Sequence, residues 1–189
     1  RGLVAISTIT LLEAGFSENY YDYTLHYRPE VQTAAQKPPY GDVSHLDIVT
    51  GRRTVAATRD FEDIFPFYNI YGASSYITGS HAFRFGVQWG AGWIKSWRDA
   101  NGDMVQRYSN GVPNSVQRWN FPIPEARSNL DMLLGVFLQD SWTLKKLTLN
   151  PGIRYEAIRG SVPAQTAPAG RFVPARSFAA IENLPNWKG

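Results

Sequence analysis

The stretch HAFRFGVQWGAGW, residues 81–93, alternates strictly between two kinds of residue. The apolar set is Phe83, Phe85, Val87, Trp89, Ala91 and Trp93. The small or hydrophilic set is Ala82, Arg84, Gly86, Gln88, Gly90 and Gly92. Alternation with a period of two predicts a β-strand whose two faces meet different environments. The apolar face meets either the packed core of a soluble β-protein or the hydrocarbon of a membrane.

Composition restricts how such a chain could cross a membrane. The protein has 189 residues, of which 43% are hydrophobic and 19% charged, values that are ordinary for a folded chain. Its aromatic content of 14% is high. No apolar run approaches the roughly 18 residues that a transmembrane helix needs. A membrane-embedded form of this chain would therefore cross with β-strands.

Charge and cysteine content exclude several further classes. The chain has no Cys, which excludes disulfide frameworks and cysteine metal sites. Its net charge of +3 is spread along the sequence, so we expect no nucleic-acid partner. The sequence begins with Arg and shows no signal segment, which leads us to expect a piece of a longer protein.

Five alternating runs are predicted as strands: about 5–18, 65–78, 82–97, 129–143 and 147–160. The joins at 79–81 and 144–147 are tight. The other joins are long, polar and rich in Pro, Gly and Asn: 19–64, 98–128 and 161–189. Strict alternation of tight and long joins is typical of an outer-membrane barrel, in which periplasmic turns are short and extracellular loops are long.

The two tight joins predict how neighbouring strands pair. A two-residue turn at 145–146 places Gln139 opposite Gly152 and Trp142 beside Leu149, and it sorts polar and apolar residues onto opposite faces. This register leaves one exception, because Asp140 falls on the apolar face close to the turn.

A three-residue loop at 79–81 is preferred for the other hairpin. It places Ile77, Ala73 and Tyr71 on the face of Phe83, Val87 and Trp89.

Strand length favours the membrane environment. The ten steps from Phe83 to Trp93 rise about 25 Å at a tilt of roughly 40°, which is the height of the apolar band of an outer-membrane barrel. Five aromatic residues are predicted to mark the membrane interfaces: Phe83, Trp93, Trp97, Trp142 and Tyr155. Five polar residues are predicted to line the lumen: Arg84, Gln88, Gln139, Arg154 and Glu156.

Three segments of the sequence also resemble a known family. They are GSHAFRFGVQWGAGW, LGVFLQDSWTLKKLTLNPGIRYE and PAGRFVPARSFAAIENLPNWKG, and they are similar to the barrel of TonB-dependent outer-membrane receptors, in particular the Oar-like branch. The resemblance is strong from about residue 79 to the end. It is weaker before that, where ITLLEAGFSENYYDY resembles an earlier strand. QDSWTLKKLTLNPGIRYE is the most specific piece.

The resemblance implies a fold, a location and partners. It implies an all-β fold, an antiparallel transmembrane β-barrel fragment of about five strands from a barrel of about 22 strands. Residues 1–189 would belong to one barrel domain, with the plug domain and the other strands outside this chain. The protein would lie in the outer membrane of a Gram-negative bacterium. Its partners would be lipid, its own plug, TonB, and an unknown small ligand, peptide or glycan.

Candidate sites for chemistry are few. Asp99, Asn101 and Asp103 have the one-three-five spacing of a calcium loop. Met104 stands where that loop needs glycine, and Asn110 stands where it needs glutamate. These two mismatches favour a simple Asn-Gly turn at 101–102 over a calcium loop.

Other polar residues give no case for catalysis. His26, His45 and His81 lie on separate segments, so we expect no metal site and no cofactor. The order of residues gives no case for a Ser-His-Asp or carboxylate-pair arrangement, so we expect no enzyme activity. Arg171 and Arg176 lie in a Pro-rich stretch that forms either a wall for an anionic ligand or a solvated loop.

Two other classes of protein remain open. A secreted carbohydrate-binding β-sandwich would use the Trp residues for stacking on sugars and would turn its apolar face inward. An outer-membrane enzyme would need a cluster of carboxylates and histidine at the outer rim. The ligand, whether iron chelate, peptide or glycan, is not given by the sequence.

Overall fold

The computed structural model describes residues 2–7, 10–123 and 126–185, and this part of the chain is all-β. It contains a 3-10 turn at Asn101–Asp103 and no α-helix, and no helix in it is long and apolar enough to cross a bilayer. The strands are β1 (Gly2–Ser7), β2 (Thr10–Leu25), β3 (Ser44–Asp47), β4 (Arg53–Thr54), β5 (Asp60–Thr78), β6 (His81–Asp99), β7 (Met104–Ser109), β8 (Val112–Arg118), β9 (Ala126–Leu144), β10 (Leu147–Leu149), β11 (Gly152–Val162), β12 (Gln165–Ala167), β13 (Arg176–Phe178) and β14 (Ile181–Leu184).

The main sheet has the order β1-β2-β5-β6-β9-β11-β14, with β10 also paired to β9. Every pair in it is antiparallel. Strands β5, β6 and β9 are each 19 residues long, which is longer than the alternating runs in the sequence predict. Neighbours in sequence are neighbours in this sheet, as in an up-and-down meander.

The single strand predicted for 5–18 is wrong. The chain reverses between Ser7 and Thr10, which stand opposite each other, and β1 pairs back on β2. The four residues Ser-Thr-Ile-Thr at this point include neither Gly nor Pro, so no local turn signal interrupts the alternating pattern.

The hairpin at 145–146 is confirmed. Gln139 pairs with Gly152 and Leu149 with Trp142, as the two-residue turn requires. Lys145 has a φ of 54°, the left-handed conformation that tight hairpin turns use.

The three-residue loop predicted at 79–81 is wrong, because Thr78 pairs with His81 across a two-residue loop. Tyr71 consequently stands opposite Gln88 on the polar face, and Ala73 lies on that face as well. In this register the Tyr71 hydroxyl has polar partners on the polar face, and the small residue Ser74 stands opposite Phe85 on the apolar face.

The two faces of the main sheet are chemically distinct. On the apolar face, large side chains remain exposed: Ile153 is 73% exposed, Tyr155 64% and Phe16 63%. The opposite face carries arginine, glutamate, glutamine and tyrosine side chains. The packed hydrophobic residues of the described chain lie mostly elsewhere.

A second sheet, called the small sheet, has the order β4-β3-β7-β8 and is built from two of the long joins. Its β3 and β7 run parallel, whereas the other pairs are antiparallel. Val105 of β7 is completely buried, and Val43 and Phe121 beside the sheet are also buried. The long joins therefore contain a folded β-structure with its own core, where the sequence predicts polar loops.

Candidate functional site: the polar face of the main sheet

The five residues predicted to line a lumen share one face of the main sheet: Arg84, Gln88, Gln139, Arg154 and Glu156. The register shows this directly. Arg84 of β6 stands opposite Gln139 of β9, and Gln88 and Glu156 both stand opposite Gly135 from either side. The polar positions of three strands therefore form one continuous surface.

Arg84 is the centre of a hydrogen-bonded group that joins three strands. Its Nη2 donates to the Glu13 carboxylate at 3.1 Å and to the Tyr71 hydroxyl at 3.0 Å. The Tyr71 hydroxyl donates to Glu13 at 3.2 Å. This group ties β2, β5 and β6 together, and in it the charges of Arg84 and Glu13 offset each other on the sheet surface.

Glu13 and Tyr71 were not among the predicted residues. Glu13 could have been found, because it occupies a polar position in the alternating pattern of its own strand. Tyr71 could not, because its face depends on the length of the loop after Thr78, and the wrong loop turns Tyr71 to the apolar side.

The other polar residues pair more loosely. Gln88 Nε2 donates to Asn69 Oδ1 at 3.1 Å. Arg154 Nε donates to Glu156 Oε1 at 2.7 Å, but these side chains are 48% and 65% exposed. An exposed pair of this kind contributes little to stability and stays available to water or to another surface.

Aromatic rings from neighbouring strands lie over two glycines of the 81–93 stretch on this same face. A Cβ added at Gly86 would overlap the ring of Phe137, and a Cβ at Gly90 would come within 2.9 Å of the ring of Phe67. Glycine at these positions leaves space for the rings, so the polar face includes two flat aromatic patches between its charged groups.

The predicted interface aromatics lie on the apolar face: Phe83, Trp93, Trp97, Trp142 and Tyr155. Phe83 and Trp142 lie at the tight-turn end, and Trp93 and Trp97 lie toward the other end. Tyr155 differs, because it pairs with Val136, which itself stands opposite Val87. Tyr155 therefore lies beside the middle of the 81–93 stretch and not at either end of it.

The exceptional Asp140 is paired at the tight-turn end of the apolar face. His81 Nδ1 lies 2.6 Å from Asp140 Oδ2, and the backbone N–H of Ala82 donates to Asp140 Oδ1. The His81 ring stacks on Phe83 and on Trp142, with centroid distances of 5.4 Å in both cases. Asp140 is accommodated because both of its carboxylate oxygens have partners and its side chain is only 15% exposed.

Arg171 and Arg176 hold the last long join against other loops. Arg171 Nη1 donates to the Gly102 carbonyl at 3.0 Å, and its guanidinium lies 3.7 Å from the centre of the Tyr40 ring. Arg176 Nη2 donates to the carbonyls of Asn120 and Pro122 at 2.8 and 2.7 Å. Both guanidinium groups are thus directed at protein partners.

The segment with calcium-loop spacing forms the Asn-Gly turn that the sequence favours. Gly102 has a φ of 68°, and the buried Asn101 donates from Nδ2 to the carbonyls of Gln32 and Asp42. In the part of the chain that the structure describes, no three His, Asp or Glu side chains group as metal ligands. The three histidines lie apart, with Asp60, Tyr108 and Asp140 as their respective neighbours.

Comparison with known proteins agrees with this geometry. Neither the curated proteins nor the solved structures contain a match. The family model "TonB dependent receptor-like, beta-barrel" matches residues 8–181, almost the whole chain. The long antiparallel strands, the tight turns and the two-sided main sheet are those expected of such a barrel wall. The chain belongs to the TonB-dependent receptor-like β-barrel family.

Proposed function

We propose that this chain is a segment of an Oar-like outer-membrane receptor that binds a ligand at the cell surface and takes it up with energy supplied through TonB. Receptors of this family are outer-membrane proteins of Gram-negative bacteria. The proposal treats residues 1–189 as part of a single barrel domain and assigns the chain no enzyme activity.

One observation carries the proposal, namely the exposed apolar face of the main sheet. Soluble proteins rarely leave more than about 300–600 Å² of continuous apolar surface uncovered. Here large apolar side chains of five neighbouring strands stay open along one face, including Phe16, Ile70, Phe85, Leu138 and Ile153. In a bilayer this face would lie against hydrocarbon without any protein cover.

The rest of the proposed architecture follows from the sheet edges and the polar face. Strands β1 and β14 end the sheet, and open edges are costly in a membrane, so further strands would close the barrel. In a barrel of about 22 strands the polar face would surround a plug domain. The proposal places Arg84, Gln88, Gln139, Arg154 and Glu156 on that inner wall.

The alternative of a secreted carbohydrate-binding sandwich has less support. A sandwich packs a second sheet on the apolar face of the first. Among the described residues the small sheet buries its core around Val105, β12 and β13 form only a two-stranded pair, and the apolar face of the main sheet remains exposed.

An outer-membrane enzyme also has less support. One histidine–carboxylate pair lies at the end of the main sheet that is away from the tight turns, where His26 Nδ1 is 2.8 Å from Asp60 Oδ1. No hydroxyl group in the described residues hydrogen-bonds to His26, so this pair lacks the nucleophile that a catalytic triad requires.

Fractionation of cells that express the full-length protein tests the proposal. We expect the protein in the outer-membrane fraction, with detergent required for its extraction, because the apolar face needs lipid or detergent around it. A full-length protein that dissolves in buffer alone would contradict the proposal and would favour the secreted sandwich.

A further inference from the structure

The small sheet carries a recess on the surface of the long joins. It has a volume of about 460 Å³, within the roughly 300–1,000 Å³ of small-molecule sites. Its lining includes His45, Arg52, Thr54, Tyr108 and Asn110, and we call it the small-sheet recess. It lies outside the polar face described above.

The pairing of the strands explains why these side chains converge. His45 pairs with Thr54 of β4, and its neighbour Asp47 pairs with Tyr108 of β7, so all four share one face of the small sheet. The ring centroids of His45 and Tyr108 are 5.0 Å apart, and the two tilted rings form the floor of the recess. The opposite face contains the buried Val105, which leaves the recess on the outward face.

The walls of the recess are fixed by Asp47. Its Oδ1 accepts hydrogen bonds from the N–H groups of Val49 and Thr50 at 3.0 and 2.9 Å, and its Oδ2 accepts one from Gly111 at 2.7 Å. These bonds, led by that from Thr50, lower the pKa of Asp47 to about 2. The carboxylate therefore stays ionised and braces the turn at 47–52 against the turn at 110–111.

The recess contains one positive charge, on Arg52, and one negative charge, on the ionised Asp47. The two oxygens of Asp47 are directed at backbone N–H groups. The guanidinium of Arg52 is exposed, and within residues 2–7, 10–123 and 126–185 it has no hydrogen-bond or ion-pair partner. Arginine binds carboxylates through two parallel N–H donors, and the nearby Thr54 hydroxyl adds a neutral donor and acceptor.

We propose that the small-sheet recess binds a small hydroxylated carboxylate, with Arg52 holding the carboxylate and the rings of His45 and Tyr108 packing against the carbon face of the ligand. Acidic sugars and hydroxycarboxylic acids share this chemistry. The proposal rests on the proposed receptor function, since it names the class of ligand that the receptor would meet outside the cell.

Calorimetry on the full-length protein, extracted in detergent from the outer membrane, tests the proposal with three probes. Digalacturonate represents the acidic sugars and citrate the hydroxycarboxylic acids, while the methyl ester of digalacturonate keeps the shape and removes the charge. We expect at least one acid to bind and the ester to bind at least about tenfold more weakly, as loss of a charged hydrogen-bonding partner implies. The tighter of the two acids identifies the source of the carboxylate.

Two neighbouring arginines provide a matched pair of variants. Arg52→Gln should weaken binding of the acid by roughly 10- to 100-fold. Arg53→Gln should leave it unchanged, because Arg53 pairs with Leu46 and lies on the other face. Both positions are exposed, and far-UV circular dichroism checks that both variants fold.

Several results would overturn the proposal. They are failure of both acids to bind, equal binding of acid and ester, wild-type affinity in Arg52→Gln, or equal losses in the two variants. Because the protein has already been extracted from the outer membrane, each of these results would leave the proposed receptor function intact.

Discussion

At the scale of single residues, the glycines of the 81–93 stretch are required because residues far away in sequence pack against them. Gly86 lies under the ring of Phe137 of β9, Gly90 lies under the ring of Phe67 of β5, and Gly92 lies against the backbone carbonyl of Pro66 of β5. Alternation alone reveals that these positions belong to the hydrophilic face. It does not reveal why they are glycine, because that depends on which rings or backbone groups the adjacent strands bring close to them.

The same stretch shows how far single residues can be assigned from sequence. Arg84 and Gln88 lie on the polar face as their parity predicts. Their partners Glu13 and Asn69 belong to other strands and become visible only with the register. Parity identifies the face of a residue, and the register is needed to identify its contacts.

Neighbouring residues in this stretch should respond differently to the same substitution. Val87→Arg places a charge on the apolar face and should cost about 2–4 kcal/mol if that face lies at the bilayer midplane. Gln88→Arg places the charge on the polar face beside Asn69 and should cost much less. Urea unfolding of the full-length protein in lipid vesicles measures both. Equal destabilisation by the two variants would show that the faces do not divide lipid from water.

At the scale of strands and turns, the two tight hairpins differ in how much the sequence reveals. The turn at 145–146 is predictable because a single register sorts the residues of β9 and β11 onto two consistent faces. The loop after Thr78 is not, since β5 carries Ser74 and Gly72 on its apolar face and Tyr71 on its polar face. Hydropathy therefore favours the wrong loop length there.

The small sheet could not be predicted from the sequence. Its β3 and β4 have four and two residues, too few to show a period. Its central pair, β3 and β7, joins segments from two different long joins in parallel. Such pairing depends on tertiary packing around Val105 and leaves no local signal.

The Asp47 brace should make the small sheet sensitive to acid. The pKa of Asp47 is lowered in the folded protein from 3.8 to about 2. Its contribution to stability is therefore present above pH 3.8 and is lost as the pH falls through about 2. Limited pepsin digestion with mass spectrometry should detect faster cleavage near the 47–52 turn as the pH falls from about 4 to about 2, relative to an unfolded substrate.

A matched variant separates the brace from general acid unfolding. Asp47→Asn removes the charge and one acceptor, so its 47–52 turn should be cleaved rapidly already at about pH 4. If the variant and the wild type are cleaved equally at that pH, Asp47 does not hold the two turns together.

At the scale of the whole molecule, the packed core and the long strands lie in different places. Among the residues that the structure describes, most of the buried apolar ones belong to the small sheet and the loops around it, including Val43, Val105 and Phe121. The main sheet instead has a hydrogen-bonded polar face and an exposed apolar face. The all-β class and the two-sided sheet follow from the alternation in the sequence, whereas the folded long joins do not.

The proposed receptor requires the main sheet to cross the outer membrane with its tight turns inside and its long joins outside. Because the chain has no Cys, single cysteines report their own position. Ser115→Cys and Ser177→Cys lie at exposed positions on two long joins, and Lys145→Cys lies at a tight turn. In the full-length protein on intact cells, an impermeant maleimide should label the first two rapidly and Lys145→Cys only after the outer membrane is permeabilised. Labelling of Lys145→Cys on intact cells, with Ser115→Cys and Ser177→Cys protected, would show that the tight turns lie outside the cell and that the proposed topology is wrong.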